Sequence, residues 1–376
     1  MSRFVAEVDL AAISANVARL DAGCGDAAVM AVVKADGYGH GMVPSARAAI
    51  AGGATWLGVA FAEEALALRG AGIDVPILAW LLAETDDVEP LVRADVDVSV
   101  SATWALERAV VAAERAGRAA HVHLKVDTGL GRAGATRADW PDLVTAAAKA
   151  VADGTVEVTG IWSHLAYADA PAHPTIAAQV AAYADALDVA DRAGLRPRVR
   201  HLANSAATLS LPDTHYDVVR PGIAVYGLSP GPEVGTATSL GLRPAMTLRA
   251  EVALVKRVPA GQGVSYGHRY TTDRETTLAL VPLGYADGVP RHATNVGPLS
   301  IAGERYRISG TVCMDQFVVD VGDAAVQVGD DAVLFGPGDD GEPTADDWAD
   351  AVGTINYEIV TRIGARVPRS YVGGTA

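Results

Sequence analysis

Short apolar, β-branched runs alternate with longer Ala-rich amphipathic stretches over the first 220 residues. The pattern predicts strands over Ala28–Val33, Trp56–Ala60, Val75–Ala79, Val96–Val100, His121–Val126, Val156–Trp162, Val199–Leu202 and Tyr216–Val219. Helical spacing between them predicts helices over Phe61–Ala71, Ala102–Ala116, Arg137–Ala152 and Thr175–Ala193. Ser101 stands where an N-cap is expected, and Gly117 and Gly194 follow two of the helix ends. Eight strands, each followed by helical or loop material, predict an α/β fold: a (β/α)8 barrel of the TIM type rather than a doubly wound sheet.

The pattern changes at Ser229–Met246, "SPGPEVGTATSLGLRPAM", which is rich in Gly, Ser, Thr and Pro. Beyond it come β-type runs at Met246–Val258, Thr277–Pro282, Leu299–Ile308, Gln316–Val321 and Ala332–Phe335, with one helical stretch at Ala345–Ala351. The expected division is a barrel over residues 1–239 and a mostly β domain over 240–376, and a chain of 376 residues has room for both.

Composition adds exclusions. Half the residues are hydrophobic and 20% are charged, as in globular domains. A formal net charge of −15 argues against a nucleic-acid surface and against anionic membranes, yet a local group of Arg and Lys can still hold a small anion. Two cysteines, Cys24 and Cys313, make no disulfide framework and fit a reducing compartment. The start, "MSRFVAEVDL", carries acidic residues where a signal peptide needs an apolar stretch, and no uncharged segment reaches membrane-spanning length. The expectation is a cytoplasmic protein with no membrane or nucleic-acid partner.

Barrels of this kind build their active sites at the C-terminal ends of the strands. Strand one ends in Lys34, with Tyr38 and His40 just after it; strand five delivers Lys125, Asp127 and Arg132 in "HLKVDTGLGRAG". Strand six ends at His164, strand seven runs into His201, Asn204 and Ser205, and strand eight ends in Arg220, followed by "PGIAVYG". Each has a plainer structural reading: a solvated lysine, a core histidine, a surface arginine, an N-cap at Asn204 or Ser205. Their coincidence at one rim does not. A serine at a helix start and the Gly222 amide together resemble a phosphate cradle, in the loops after strands seven and eight where barrels commonly bind phosphate. A desolvated lysine across the same mouth can form a Schiff base. An amine paired with a phosphate site points to pyridoxal 5′-phosphate (PLP), which carries an aldehyde and a phosphate.

The segment "AVVKADGYGHG", residues 31–41, resembles the PLP-lysine motif of the alanine racemase family. The resemblance continues in order through "HLKVDTGLGRAG", "HLANSAATL", "VVRPGIAVYGL", "GVSYGHRY", "LGYADGVPR", "GTVCMDQFVVDV" and "TINYEIVTRIG", nearly the whole chain. It implies Lys34 as Schiff-base lysine and base on one face of the substrate, and Tyr266, contributed by a second subunit of a homodimer, as the acid/base on the other. It further implies Arg220 at the pyridine nitrogen, with His164 bonded to it and to Tyr266. Tyr38, Ser205, Gly222, Ile223 and Tyr357 are implied at the phosphate, with Asn204 in the same cofactor site. Arg132 would orient the cofactor phenolate and the substrate carboxylate with the Met314 amide from the partner chain, Lys125 occupies the place of a carbamylated lysine, and Tyr285, Cys313 and Asp315 would line the substrate site or its entrance. No metal is implied. The implied activity is interconversion of L- and D-alanine for peptidoglycan, with D-cycloserine as inhibitor. Rival readings are a broad-specificity amino-acid racemase, a related decarboxylase, and a PLP carrier consisting of the barrel alone; "VSYG" and the long C-terminal region disfavour the last two.

Overall fold

The structure, a computed structural model, describes residues 3–374 and divides into two compact units. One comprises residues 13–37 and 45–242. In it, eight parallel strands pair in chain order: Ala28–Val32, Trp56–Val59, Ile77–Ala79, Asp97–Val100, Ala120–Lys125, Val156–Trp162, Val199–His201 and Val218–Val219. The first also pairs with the last. Backbone bonds from Asp217 N to Arg200 O (3.0 Å) and from Arg220 N to Ala203 O (2.9 Å) join the seventh to the eighth, closing the barrel.

The connecting helices follow their apolar periodicity. Helix Thr103–Ala116 buries Ala105, Leu106, Ala109, Ala112 and Ala113, one face at 3.6-residue spacing, and ends on Gly117 at φ 68°. Its N-cap is Ala102, not Ser101, which lies one residue too early for its hydroxyl to reach the first turn's amides. Helices Met42–Ala51 and Glu89–Arg93 had no clear sequence signal.

The second unit comprises the chain up to Ala12, residues 38–44, and everything from Arg243. Its six-stranded sheet runs Glu304–Arg307, Pro298–Ile301, Asp331–Phe335, Met246–Glu251, Phe4–Asp9, Arg369–Val372. A three-stranded sheet of Leu254–Val258, Thr276–Val281 and Phe317–Gly322 accompanies it. The first residues of the chain therefore go with this unit rather than with the barrel: Phe4–Asp9 pairs antiparallel with Met246–Glu251, its alternate residues Ala6 and Val8 fully buried. The expected run Leu299–Ile308 is a hairpin, because Ala302 (φ 51°) and Gly303 (φ 84°) turn the chain through the left-handed region.

Candidate active site

The junction after barrel strand one is unusual. Ala35, Asp36, Gly37 and Tyr38 all have positive φ, between 52° and 62°, so the chain leaves Lys34 in a left-handed turn closed by Gly37 N to Val33 O at 2.9 Å. Three of these are not glycine, and such backbone strain concentrates at functional sites. Glu64 braces the turn, one carboxylate oxygen accepting the Ala35 amide at 2.7 Å and the other the Ala60 and Phe61 amides.

Four cations act on one another at this barrel mouth. Burial lowers the Lys34 amine, and the Arg132 guanidinium lowers it further against an opposing pull from Glu64. Burial, then Arg220 and Arg132, bring Lys125 down to about 8 despite Asp127. Lys125 Nζ sits 4.1 Å from the Trp162 ring centroid, and the Arg220 guanidinium carbon lies 4.8 Å from the same ring. Arg220 is 4% exposed and donates to Ser163 O (2.8 Å), Leu202 O (3.1 Å), His201 Nδ1 (3.1 Å) and His164 Nδ1 (3.4 Å). Burial and then Arg220 press His164 well below the ordinary imidazole range, so it stands neutral beside the guanidinium.

After strands seven and eight, Asn204 is the N-cap of helix Ser205–Ser210, its Oδ1 accepting the Ala207 amide at 3.1 Å. Ser205 Oγ accepts the Gly222 amide at 2.8 Å and the Ala224 amide at 3.4 Å, with Ile223 buried between them. Both amides are taken by the serine oxygen, so the hydroxyl's own proton is left as the donor that an anion could take up. Asp127 acts on the backbone instead: its carboxylate accepts the amides of Gly129, Leu130 and Gly131, shaping the loop that carries Arg132.

In the second unit, three motifs meet. Ser265, at φ 59°, donates to Thr311 O (2.6 Å) and lies 3.3 Å from Cys313 Sγ, while Thr311 Oγ1 donates to the Tyr266 carbonyl (2.8 Å). Tyr285 N and Ala286 N donate to the carbonyls of Cys313 and Met314 at 3.1 and 3.0 Å. Asp315 pairs with Arg366 at 2.8 Å. Tyr266, Tyr285 and Met314 are thereby presented as exposed side chains, at 75%, 42% and 52%. Tyr38 and Tyr357 lie together in this unit, their ring centroids 6.4 Å apart, and His40 is buried with Nδ1 3.0 Å from Tyr38 O.

Residues 8–230 match the family described as alanine racemase, N-terminal domain, and residues 245–371 the alanine racemase, C-terminal domain. The chain belongs to the alanine racemase family. The alanine racemase of Frankia casuarinae is 66% identical over 370 residues, covering 98% of this chain and 96% of that one. That of Thermobifida fusca is 60% identical over 374 residues, 99% of each. The solved alanine racemase from D-cycloserine producing Streptomyces lavendulae superposes with a TM-score of 0.99 at 57% identity, covering 100% of this chain and 98% of that one.

His201, which the sequence placed at the end of strand seven, is fully buried and leads to two barrel residues, His123 and Asp97, that went unassigned from sequence. His201 faces Arg220 from behind, and two further strand residues, His123 and Asp97, continue inward from it. Alternation along strand Ala120–Lys125 puts His121, His123 and Lys125 on one face, so a polar column replaces the usual aliphatic filling. The signal available was the alternation of polar residues His121, His123 and Lys125 in "HVHLK".

Proposed function

We propose that this racemase interconverts L- and D-alanine with PLP as cofactor, using acid–base groups on opposite faces of the substrate. The observation that carries the reading is the group of Lys34, Lys125, Arg132 and Arg220 at one barrel mouth, in which both lysines are lowered by burial and neighbouring cations. Such an array fits an anionic occupant, and the Ser205 hydroxyl, which accepts two amides and so has its own proton to donate, suits a phosphate oxygen.

In this reading Lys34 holds the aldehyde end of PLP, and Ser205, Gly222, Ile223, Tyr38 and Tyr357 hold the phosphate, beside Asn204. Arg220 meets the ring nitrogen, steadied by His164. Arg132 and the partner's Met314 amide orient the substrate carboxylate, with Tyr285, Cys313 and Asp315 along the way in. When bound, PLP supplies an aldehyde that condenses with amines and a conjugated ring that accepts electron density as the α-proton leaves. Lys34 Nζ takes the α-proton of D-alanine, for which burial beside Arg132 favours a neutral amine. The partner's Tyr266 takes that of L-alanine at its Oη. In each direction the opposite group returns a proton, and the configuration inverts. Arg220, brought down only to about 10 by burial, keeps its proton at neutral pH. It can therefore hydrogen-bond the ring nitrogen without protonating it, which limits charge uptake by the ring and disfavours transamination.

The exposure of Tyr266, Tyr285 and Met314 supports a face that completes a second subunit's site, so the working unit is a homodimer. Its product would be D-alanine for peptidoglycan, made in the cytoplasm; no helix of the described residues is long and apolar enough to cross a membrane. The alanine racemase of Clostridium difficile 630, 32% identical with a TM-score of 0.88, is solved in complex with cycloserine, and the same inhibition is expected here. The test is chiral chromatography of L-alanine, L-serine and L-lysine after incubation with PLP-loaded protein. Racemisation of alanine with little turnover of the others is expected; bound PLP with no D-alanine would refute the proposal.

A further inference from the structure

Arg220 is buried and cationic, and the groups bonded to it are two carbonyls and two histidines rather than a carboxylate. A guanidinium only donates, so His201 must accept at Nδ1 and carry its ring proton on Nε2. That Nε2 lies 2.7 Å from His123 Nδ1, which must accept in turn, leaving the His123 proton on its own Nε2. His123 Nε2 lies 2.9 Å from Asp97 Oδ2, a carboxylate that only accepts. Both ends impose the same direction, so one protonation pattern satisfies the chain Arg220–His201–His123–Asp97. Every member is at least 96% buried. Burial and the Arg220 charge keep His201 neutral.

The surroundings are shaped for this chain. Trp162 stacks on His201, with centroids 5.5 Å apart and planes 12° apart, and its indole N–H is tied to Ser99 Oγ at 3.0 Å. Trp56 meets His123 edge-on at 5.7 Å. A Cβ at Gly160 would collide with the His123 ring, and the pairing of strands five and six shifts register between Val122 and His123. At the far end, Asp97 Oδ1 is 3.6 Å from His121 Nδ1, on a half-buried ring that also faces Asp95 (3.8 Å) and Glu157 (3.7 Å).

We infer that Asp97 and His123 are positioning residues for Arg220: through His201 they supply its buried counter-charge and fix the guanidinium in the orientation that meets the cofactor ring. This rests on the assignment of Arg220 to the ring nitrogen. It makes Asp97, on the fourth strand and at the remote end of the chain, a determinant of cofactor binding and rate.

Histidine-selective 15N labelling and two-bond 1H–15N spectra of the cofactor-free protein read the tautomers directly. His123 and His201 are both expected as Nε2–H forms. His123→Phe should leave the His201 proton on Nε2, where Arg220 alone fixes it, but remove the hydrogen bond that proton makes, moving its 1H resonance upfield, and should weaken PLP binding, measured by fluorescence titration. It should also lower kcat for alanine by about 10- to 100-fold, as loss of an orienting partner commonly does, with KM nearly unchanged. Asp97→Asn keeps an acceptor for His123 but removes the counter-charge, so it should retain the His201 tautomer while weakening PLP binding and lowering kcat; it carries the test if His123→Phe does not fold. A wild-type His201 protonated at Nδ1, or variants matching wild type in PLP affinity and kcat, would overturn the inference. Wild-type protein that takes up no PLP while showing the Nε2–H tautomers would instead refute the proposed cofactor and leave the chain of hydrogen bonds standing.

Discussion

Lys125 and Trp162 form a cation–π pair, the amine 4.1 Å from the ring centroid, on the ring that Arg220 also overlies. Burial first, and then repulsion from Arg220 and Arg132, brings Lys125 down to about 8. The neutral amine is therefore appreciably populated near neutrality and can add carbon dioxide, forming an N–C bond and releasing one proton. The resulting carbamate anion would offset Arg132 and Arg220. A carbamate resonance is expected in 13C spectra of protein equilibrated with 13C-bicarbonate, absent in Lys125→Ala, and fading as pH falls below about 8.

The left-handed turn after Lys34 gives a stability prediction. An L-residue in this conformation is strained by roughly 1 kcal/mol, which glycine avoids at some cost in unfolded-state entropy. Ala35→Gly (φ 53° at this site) is expected to be at least as stable as wild type in urea unfolding. Ala35→Val should lose about 2 kcal/mol, because a β-branched residue is poorly tolerated there. A glycine variant less stable than the valine variant would contradict the strain argument.

Asp97 makes acid stability sensitive to one buried group. Burial pushes its carboxyl up, but hydrogen bonds to His121 and His123 outweigh this and hold it at about 2. A depressed carboxylate stabilises the fold fully above its unfolded value of about 3.9 and loses that contribution as pH falls through the folded value. The contribution, on the order of 2 kcal/mol, should vanish between about pH 4 and 2. Asp97→Asn should flatten that limb of the stability curve; an unchanged acid limb would be contrary to this. His121 has the opposite sign: its hydrogen bond to Asp97 raises it, so its contribution is present below about pH 6.5 and lost as pH rises through its folded value.

Tyr266→Phe separates the two faces. With Lys34 intact, the variant is expected to exchange the α-proton of D-alanine with deuterated solvent while forming almost no L-alanine, and to leave L-alanine unexchanged. Proton NMR of each enantiomer reads this directly. Equal exchange of both would mean that one group serves both faces.

Much of this molecule is legible in its sequence because the informative signals are local. Several barrel strands are short apolar runs ended by a polar residue, so Lys34, Lys125 and Arg220 could be placed at one mouth from position alone. Asn204 as a cap follows from residue type and spacing. What stayed hidden depends on partners remote in sequence or on disfavoured backbone. Phe4–Asp9 pairs with a strand some 240 residues later, so its alternation does not reveal its unit. Asp97, His123 and His201 look like unrelated strand residues until barrel closure brings three rungs into line. The turn at Ala35–Tyr38 defies residue preference at three of four positions, and propensity cannot foresee conformations that tertiary structure imposes.

Two lysines with lowered pKa face the same barrel mouth, and only one can carry the cofactor. Borohydride reduction of PLP-loaded protein, followed by peptide mass mapping, distinguishes them most directly. A phosphopyridoxyl group on the peptide containing Lys34, lost in Lys34→Ala, is the predicted result. The same group on Lys125, or on neither, would contradict the account.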